Sequence, residues 1–320
     1  LLLERSHSAV LYEALGQSHF SGILEDTLTM AGHKDQPLVS VVVPMYNEED
    51  NIGATLTSLA RQEYDNIQII VVDDESTDDS VEIAEQRLPK IGGEHIMLEN
   101  STNLGQSFSR NRGAMHADGE YIVFHDADDL STPNRLRKQV SYLEDNESVG
   151  VVGGGYFYVN PNRDQREVKI RPTDDASIRM GMAKECMVNL GTAMFRREAL
   201  FATDLFESNN VEGYELIVNV GTEWLFANLS EPIYLYRIND GSRSQQAQLK
   251  KKAIIAYRSY QSIDKLDLSY WYLPLQIGWL IYMAAPNRMK TVIRSLFSPT
   301  TERPLSEEEK QTIQRLEEFE

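Results

Sequence analysis

The sequence predicts an α/β fold in which a doubly wound mixed sheet is flanked by helices. Three observations favour this class. From residue 38 onward, short β-branched apolar runs alternate with segments whose apolar residues recur at helical spacing. The runs are apolar at successive positions, as expected of strands that helices cover on both faces. Acidic residues follow several runs, and in such sheets ligands bind outside the carboxyl ends of the strands.

Four strand-and-helix units are predicted before residue 145. β-Branched runs that stop at Pro44 or at acidic residues mark the strands, and apolar residues at i, i+4 and i+7 mark the helices. The predicted strands are Val39–Val43, Ile67–Val72, His95–Leu98 and Tyr121–Phe124, and the predicted helices cover residues 52–59, 76–88, 106–117 and 133–143.

The pattern is less regular beyond residue 143. Gly153, Gly154 and Gly155 lie inside one predicted strand, where they either let a ligand or backbone approach closely or form a simple bulge. The predicted elements are a strand over Val149–Val159, a polar loop over Asn160–Thr173, helices over Arg196–Phe201 and Glu212–Val220, and a late strand over Ile233–Arg237.

We expect one catalytic domain with an extension at each end. Residues 1–36 look like a helix-prone extension and linker, residues 37–245 form the α/β domain, and residues 246–320 form a helical C-terminal extension. The first five residues lead into no sustained apolar core, so no signal peptide is expected and a cytoplasmic location is the default.

An apolar and aromatic stretch lies within the C-terminal extension. Tyr270–Pro286 is short for a spanning helix, which needs roughly 20 residues, and Pro274 and Gln276 interrupt it. Basic residues follow. Residues 270–294 therefore either make a peripheral contact with the cytoplasmic face of a membrane or form a helix packed on the core.

Composition narrows the classes of function. The 320 residues carry a formal net charge of -18, which argues against nucleic-acid binding because that activity needs a basic face. An anionic substrate then requires a local cation. The single cysteine, Cys186, excludes an intrachain disulfide and a cysteine-based zinc cluster.

The stretch His125-Asp126-Ala127-Asp128-Asp129 is the most informative, because it directly follows a predicted buried strand. Three carboxylates there repel one another and are costly to desolvate, so a cation is expected among them. Oxygen ligands favour Mg²⁺ or Mn²⁺, which bind through one or two carboxylates and substrate phosphates. The alternative is a solvated acidic turn that caps the helix near Pro133.

Five ordered blocks carry a resemblance to a known family. They are Val39–Glu48, Val71–Asp78, Asn103–Gly105, Ser109–Gly113 and Gly119–Asp129. Together they resemble the family 2 glycosyltransferases, which are inverting nucleotide-sugar enzymes of the GT-A fold. The resemblance extends from about Val39 to Ser244.

The resemblance implies a nucleotide site built on the first two strands. Pro44, Tyr46 and Glu48 would flank the nucleotide, and Asp73 or Asp74 would accept a hydrogen bond from the base. A carboxylate can accept from the imide N–H of uracil or from the N–H groups of guanine, so the implied donor is a UDP- or GDP-linked sugar.

The resemblance also implies a metal site. Asn103 and Gly105 would form a loop beside the nucleotide, and Arg110 would neutralise the diphosphate, brace the acidic cluster or make a purely structural ion pair. Asp126 and Asp128 match the metal-binding Asp-x-Asp, with Asp128 the direct ligand and Asp126 near the ribose or the metal. Mg²⁺ or Mn²⁺ would stabilise the charge on the departing nucleoside diphosphate.

The catalytic base is where the sequence departs from the family. Relatives carry Glu-Asp before an aromatic and an acidic residue, whereas this chain has Gly213 at the Asp position. Glu212 is the favoured replacement because it belongs to the motif, and Glu215 is the second candidate. Both could instead be ordinary acids at a helix N-terminus. A second departure is Asn239, where relatives often have His.

The leading hypothesis is a metal-dependent transferase that acts on an acceptor hydroxyl, and the apolar C-terminal stretch alone suggests that this acceptor is a lipid-linked or surface glycan. The alternative is a nucleotide-sugar-binding protein that has lost catalysis, which Gly213 alone supports. Nucleotidyltransferases and dinucleotide oxidoreductases need a glycine-rich loop after the first strand, and residues 44–48 contain no glycine.

Overall fold

The computed structural model describes residues 36–160, 165–182, 185–206, 212–238, 265–266 and 300–319. The first half is a parallel array, with strands β1 (Val39–Met45), β2 (Ile67–Asp73), β3 (Glu94–Glu99) and β4 (Tyr121–Phe124) in the order β3-β2-β1-β4. Helices α1 (Ile52–Ala60), α2 (Ser80–Arg87) and α3 (Gln106–Met115) connect these strands. All of these elements were predicted, to within a few residues.

The second half adds mainly antiparallel pairs. Its elements are β5 (Leu130–Ser131), α4 (Arg135–Asp145), β6 (Val149–Asn160), β7 (Gln165–Ile170), α5 (Asp175–Met182), β8 (Met194–Arg196), α6 (Arg197–Phe201), α7 (Glu212–Val220), β9 (Leu225–Arg237), β10 (Thr301–Pro304) and α8 (Glu307–Glu317). Strand β8 runs antiparallel to both β4 and β6, while β9 runs parallel to β6 and antiparallel to β5. Within the described ranges ten strands share one mixed sheet, which confirms the predicted α/β class.

Two apolar layers cover the parallel strands. Val41 and Val43 of β1 face a cluster that includes residues of α1 and α4, whereas Val42 faces a cluster that includes residues of α3 and α7. All seven residues of β1 are buried, including Ser40, whose hydroxyl donates to the Gln68 side chain of β2 at 2.6 Å. A Cβ atom at Gly113 would lie 2.3 Å from Cγ1 of Val42, so glycine lets α3 approach the sheet closely.

The prediction of a polar loop over Asn160–Thr173 was wrong. Strand β6 continues to Asn160, and Gln165–Ile170 forms β7, which pairs with β6 and β10. Only Val168 of β7 is fully buried, so the strand carries almost no apolar signal. Likewise β9 begins at Leu225 rather than at Ile233, while α5 and β8 were not predicted.

The C-terminal helix α8 packs on the sheet. Its residues Ile313 and Leu316 join a buried cluster with Leu130, Phe157 and Leu235. The predicted extension 1–36 lies outside the described residues except for Gln36, and the membrane-facing segment 270–294 lies wholly outside them. No helix in the described ranges has the length and apolar character needed to span a bilayer. The division into residues 1–36, 37–245 and 246–320 stays a prediction.

Candidate active site

The candidate residues lie in loops that leave one edge of the sheet. Strand β1 pairs with β2 on one side, where Met45 is opposite Asp73, and with β4 on the other, where Val42 is opposite Phe124. Two strand spacings, about 10 Å in total, therefore separate β2 from β4 across the sheet, and β2 ends three residues further along β1 than β4 does. A single nucleotide can span that distance, so the predicted convergence at one edge holds for the backbone.

The loop after β1 is fastened to the loop after β2. Pro44 is buried in the strand, and Tyr46 follows with 46% of its surface exposed. Asn47 has a φ of 53°, and its side-chain oxygen accepts a 2.8 Å hydrogen bond from the backbone N–H of Thr77. The backbone N–H of Glu48 donates to the Ser80 hydroxyl at 2.6 Å. The two loops thus form one wall.

The side chain of Glu48 interacts electrostatically with the acidic cluster that follows β4. Burial raises the pKa of Glu48 to about 7, and the charges of Asp128 and Asp126 push it in the same direction. A hydrogen bond from Asn51 and the charge of Arg237 oppose the rise. The loops after β1 and β4 are therefore close enough for their carboxylates to interact.

Asp73 and Asp74 differ in what their oxygens do. Asp73 accepts from the backbone N–H of Ser76 through Oδ2 at 3.0 Å, while its Oδ1 is buried and has no hydrogen-bond partner among the described residues. Asp74 accepts from Asn100 and from the backbone N–H groups of Leu104 and Gly105, at 2.7–2.9 Å. Asp74 thus shapes a loop, whereas Asp73 retains an acceptor for a ligand.

The loop that contains Asn103 and Gly105 is held by these carboxylates. The backbone N–H of Asn103 donates to the Glu75 side chain at 2.9 Å, and Gly105 donates to Asp74. Gly105 has a φ of 90° and precedes the first residue of α3. A side chain would be strained there, so this glycine fixes both the loop and the start of the helix.

Arg110 on α3 reaches the acidic cluster. Its Nη2 lies 2.7 Å from Oδ1 of Asp126, and Gln106 donates to the same oxygen at 3.2 Å. The guanidinium also lies over the Phe206 ring, 5.4 Å from its centroid. This ion pair fits both a brace for the acidic cluster and a purely structural pair, and the predicted contact of Arg110 with a diphosphate stays a prediction.

Arg237 holds the other side of the cluster, and the sequence analysis had not included it. Its backbone N–H donates to Oδ1 of Asp129 at 2.8 Å, and its Nε donates to the backbone oxygen of Asp128 at 2.6 Å. Asp129 is fully buried, and burial together with Asp128 and Asp126 raises its pKa well above the usual range. The available signal was a cation that ends the last predicted strand.

The donor set fits a divalent metal. Asp126 and Asp128 come from one loop, and carboxylate oxygens suit Mg²⁺ or Mn²⁺. The described residues contain no ready-made group of three metal-binding side chains. This is compatible with an ion of that kind, because its remaining ligands are phosphate oxygens and water.

The start of α7 is connected to the acidic cluster through Leu190, Gly191 and Tyr234. A Cβ atom at Gly213 would be 3.2 Å from Cδ2 of Leu190, and one at Gly191 would be 3.0 Å from the Tyr234 ring. The Tyr234 hydroxyl in turn accepts from the backbone N–H of Asp126 at 3.3 Å. Of the two base candidates, Glu215 is half-buried on α7, while Glu212 begins the helix and its side chain lies outside the described set.

Comparison with known sequences gives one family and several relatives. The profile of the family described as Glycosyl transferase family 2 matches residues 40–201. The putative glycosyltransferase EpsE of Bacillus subtilis is 40% identical over 259 residues, which is 78% of this chain and 88% of EpsE. A UDP-Glc:alpha-D-GlcNAc-diphosphoundecaprenol beta-1,3-glucosyltransferase of Escherichia coli, WfgD, is 32% identical over 132 residues, or 40% of this chain and 49% of WfgD.

Solved structures share the fold. TarS of S. aureus in complex with UDP-GlcNAc matches with a TM-score of 0.56 and 21% identity, over 81% of this chain and 84% of that one. The mannosyltransferase PcManGT of Pyrobaculum calidifontis, in complex with GDP-Man and Mn²⁺, matches with a TM-score of 0.55 and 19% identity, over 89% of this chain and 85% of that one.

Proposed function

This chain belongs to glycosyltransferase family 2, and from that premise we propose that it transfers a sugar from a UDP- or GDP-linked donor to an acceptor hydroxyl, with inversion and with the help of a divalent metal. It is a glycosyltransferase of the GT-A fold. Four features of the reaction are proposals: the nucleotide base of the donor, the dependence on a metal, the catalytic residue and the acceptor.

One observation carries the proposal. A buried carboxylate oxygen on Asp73 has no partner within the described ranges, and it lies two strands away from the carboxylate pair Asp126 and Asp128. A buried acceptor without a donor costs free energy, and such costs are typical of functional sites. A nucleotide with its base N–H at Asp73 and its diphosphate at the metal satisfies both places at once.

Asp73 is the residue that we assign to the base. All of the described hydrogen bonds of Asp74 serve the backbone and side chains of its own neighbourhood, so its role is to shape the loop beside the nucleotide. Tyr46 is exposed directly after β1 and Pro44 is buried near the end of that strand, so Tyr46 is the one that we assign to contact with the nucleotide, while Pro44 supports the loop. Uracil and guanine both offer an N–H at the required edge, and two nucleotide-sugar complexes of the same fold contain UDP-GlcNAc and GDP-Man.

Asp126 and Asp128 are the residues that would hold the metal. When bound, Mg²⁺ or Mn²⁺ supplies Lewis-acid stabilisation of the charge that develops on the leaving diphosphate. The Mn²⁺ in the PcManGT complex supports this choice of ion. Arg110 keeps Asp126 in place, and Arg237 keeps the backbone of Asp128 in place.

The chemical step needs a base on the acceptor side. We assign this role to Glu212, with Glu215 as the second candidate. The carboxylate takes the proton of the acceptor hydroxyl while the hydroxyl oxygen attacks the anomeric carbon from the face opposite the diphosphate. The new glycosidic bond forms while the bond to the diphosphate oxygen breaks, so a single displacement inverts the anomeric configuration.

The proposed acceptor is a lipid-linked or surface glycan. The name of WfgD describes transfer to a GlcNAc-diphosphoundecaprenol, which supports a lipid-linked substrate for this chain as well. Peripheral contact with the cytoplasmic membrane face through residues 270–294 would bring the site to such an acceptor.

The experiment that tests the function is turnover of a panel of UDP- and GDP-sugars by the full chain, with Mn²⁺ or with EDTA. We expect nucleoside diphosphate release that requires metal, and a product whose anomeric configuration, measured by NMR, is opposite to that of the donor. Asp128→Asn should abolish release. Asp145→Asn, an exposed carboxylate at the end of α4, is the matched control.

The same assay tests the alternative of a protein without catalysis. At Gly213 a Cβ atom would crowd Leu190, so the family's Asp cannot enter this position unless Leu190 moves. If Glu212→Gln and Glu215→Gln both turn over donor as fast as the unchanged chain, the assignment of the base is wrong. Tight donor binding without any release would instead favour the binding protein.

A further inference from the structure

Arg135 is a buried cation beneath the loop that carries the acidic cluster. It begins α4 and is 0% exposed. Its Nη1 donates to the Ser131 hydroxyl at 2.9 Å, and its Nε donates to Oε1 of Gln139 at 3.0 Å. Its Nη2 has no hydrogen-bond partner among the described residues, and the guanidinium lies 5.0 Å from the centroid of the Tyr234 ring.

This arrangement is costly for the fold. A charge removed from water is normally compensated by a direct ion pair, and no carboxylate in the described part of the chain lies within ion-pair distance of Arg135. The charge is instead balanced by the Tyr234 ring and, at longer range, by Asp129 and Asp126. Arg135 therefore contributes something that a well-packed apolar side chain would not.

Two of the side chains that contact Arg135, Ser131 and Tyr234, lead to the backbone of Asp126. Through the first, Ser131 contacts Nε2 of His125 at 3.0 Å, and Nδ1 of His125 contacts the backbone oxygen of Asp126 at 2.8 Å. Through the second, the Tyr234 hydroxyl contacts the backbone N–H of Asp126. The peptide groups on either side of Asp126 are thus each fixed by an arm that ends at Arg135.

The direction of the hydrogen bonds follows from the donor inventory. The Asp126 oxygen can only accept, so Nδ1 of His125 carries a hydrogen, and a neutral ring then leaves Nε2 as an acceptor. Ser131 must donate to Nε2. Arg135 can only donate, and its Nη1 donates to the oxygen of the same Ser131 hydroxyl. Arg135 therefore orients Ser131, which in turn sets the tautomer of His125.

We propose that Arg135 is a positioning residue for metal-dependent donor binding, because its two arms fix both peptide groups of Asp126, one of the two residues that would hold the metal. This inference rests on the proposed function. Gln139 anchors the guanidinium, since its side-chain amide donates to the backbone oxygens of Val152 and Thr192 on two other elements.

The test separates metal-dependent binding from nucleotide binding itself. Mn²⁺ binding in the presence of UDP or GDP is followed by loss of the free Mn²⁺ electron paramagnetic resonance signal, and UMP or GMP binding is measured in EDTA. For Arg135→Met we expect at least about tenfold weaker Mn²⁺ binding, as for other residues that orient metal ligands. Binding of the monophosphate in EDTA should stay within about twofold.

The matched control is Arg196→Met. Arg196 is opposite Tyr121, the first residue of β4, whereas the acidic cluster follows the last residue of that strand. Arg196 donates to backbone oxygens of Val149 and Asn146, so its loss should lower stability and leave Mn²⁺ binding unchanged. Arg135→Lys keeps the charge but cannot bridge Ser131 and Gln139 with a planar fork, so it should restore Mn²⁺ binding only in part.

If Arg135→Met does not fold, Ser131→Ala breaks one arm and should weaken Mn²⁺ binding severalfold. The inference is overturned if these variants bind Mn²⁺ as the unchanged chain does, or if Arg135→Lys restores binding fully, since charge alone would then suffice. If the unchanged chain binds nucleotide identically with and without Mn²⁺, the proposed metal dependence fails first, and the role of Arg135 fails with it.

Discussion

Replacement of Asp73 by Asn changes one atom at the place where the nucleotide base should bind. The carboxamide can keep its oxygen toward the backbone N–H of Ser76, which now donates to Oδ2 at 3.0 Å. Its NH₂ group then takes the place of Oδ1, the buried oxygen without a partner within the described ranges. The NH₂ group, a hydrogen-bond donor, would therefore face the N–H of uracil or guanine, which is also a hydrogen-bond donor.

The magnitude follows from the bond that is lost. A hydrogen bond to a charged acceptor contributes about 1.5–3 kcal/mol, which corresponds to about 10- to 150-fold in the dissociation constant. Without ligand the effect is small, because the variant buries a neutral amide in place of a charged carboxylate while its NH₂ group in turn lacks an acceptor. We therefore expect weaker binding from a chain of about the same stability.

Calorimetric titration of UMP and GMP in EDTA measures this loss, and thermal unfolding without ligand measures stability. Asp145→Asn serves again as the control for loss of a carboxylate. The reasoning would be refuted if Asp73→Asn bound both nucleotides as tightly as the unchanged chain. It would also be refuted if the weaker binding were fully explained by a lower melting temperature.

Three further outcomes follow from the structure. The pKa of Glu48 is raised from 4.5 to about 7, so the folded state loses stability as pH rises between these values. Glu48→Gln should therefore raise the free energy of unfolding by on the order of 1–2 kcal/mol at pH 8 in EDTA, where about half of the shift is discounted for solvent exposure. At pH 5 the variant should change this free energy little. Gly113→Ala places a Cβ atom 2.3 Å from Val42, so the denaturant midpoint should fall by the equivalent of about 1–3 kcal/mol with an unchanged m-value. Asp74→Asn leaves at least one of its three donors without an acceptor, so amide exchange at Leu104 and Gly105 should accelerate. An unchanged exchange rate, an unchanged midpoint or a pH-independent effect at Glu48 would each contradict the corresponding argument.

The parallel half of the fold could be predicted because its strands are buried on both faces. Every residue of β1 and β2 is buried, and only Ser40 and Gln68, which hydrogen-bond to each other, interrupt the apolar runs before their ends. Strand β7 is different, because its single fully buried residue, Val168, is hidden among polar ones. Its pairing with β6 and β10 decides its structure, and such long-range pairing is not visible in a local pattern.

The site could be predicted as a set of loops but not atom by atom. Asp73 and Asp74 are chemically identical neighbours, and only the surrounding backbone N–H groups show which one is already satisfied. Arg135 and Arg237 look like ordinary cations of a helix and a strand end in the sequence. Their roles depend on contacts with His125–Asp129 that the chain makes only when β4, β5 and β9 are assembled.

The most direct measurement is a crystal structure of the full chain grown with Mn²⁺ and UDP or GDP, with data collected to locate manganese by its anomalous signal. The account predicts one peak at coordination distance, about 2–2.4 Å, from a carboxylate oxygen of Asp128 and from the diphosphate. It also predicts the base N–H within hydrogen-bond distance of Oδ1 of Asp73. A nucleotide bound elsewhere, or one whose base lies away from Asp73 while its diphosphate avoids Asp126 and Asp128, would contradict the central claim.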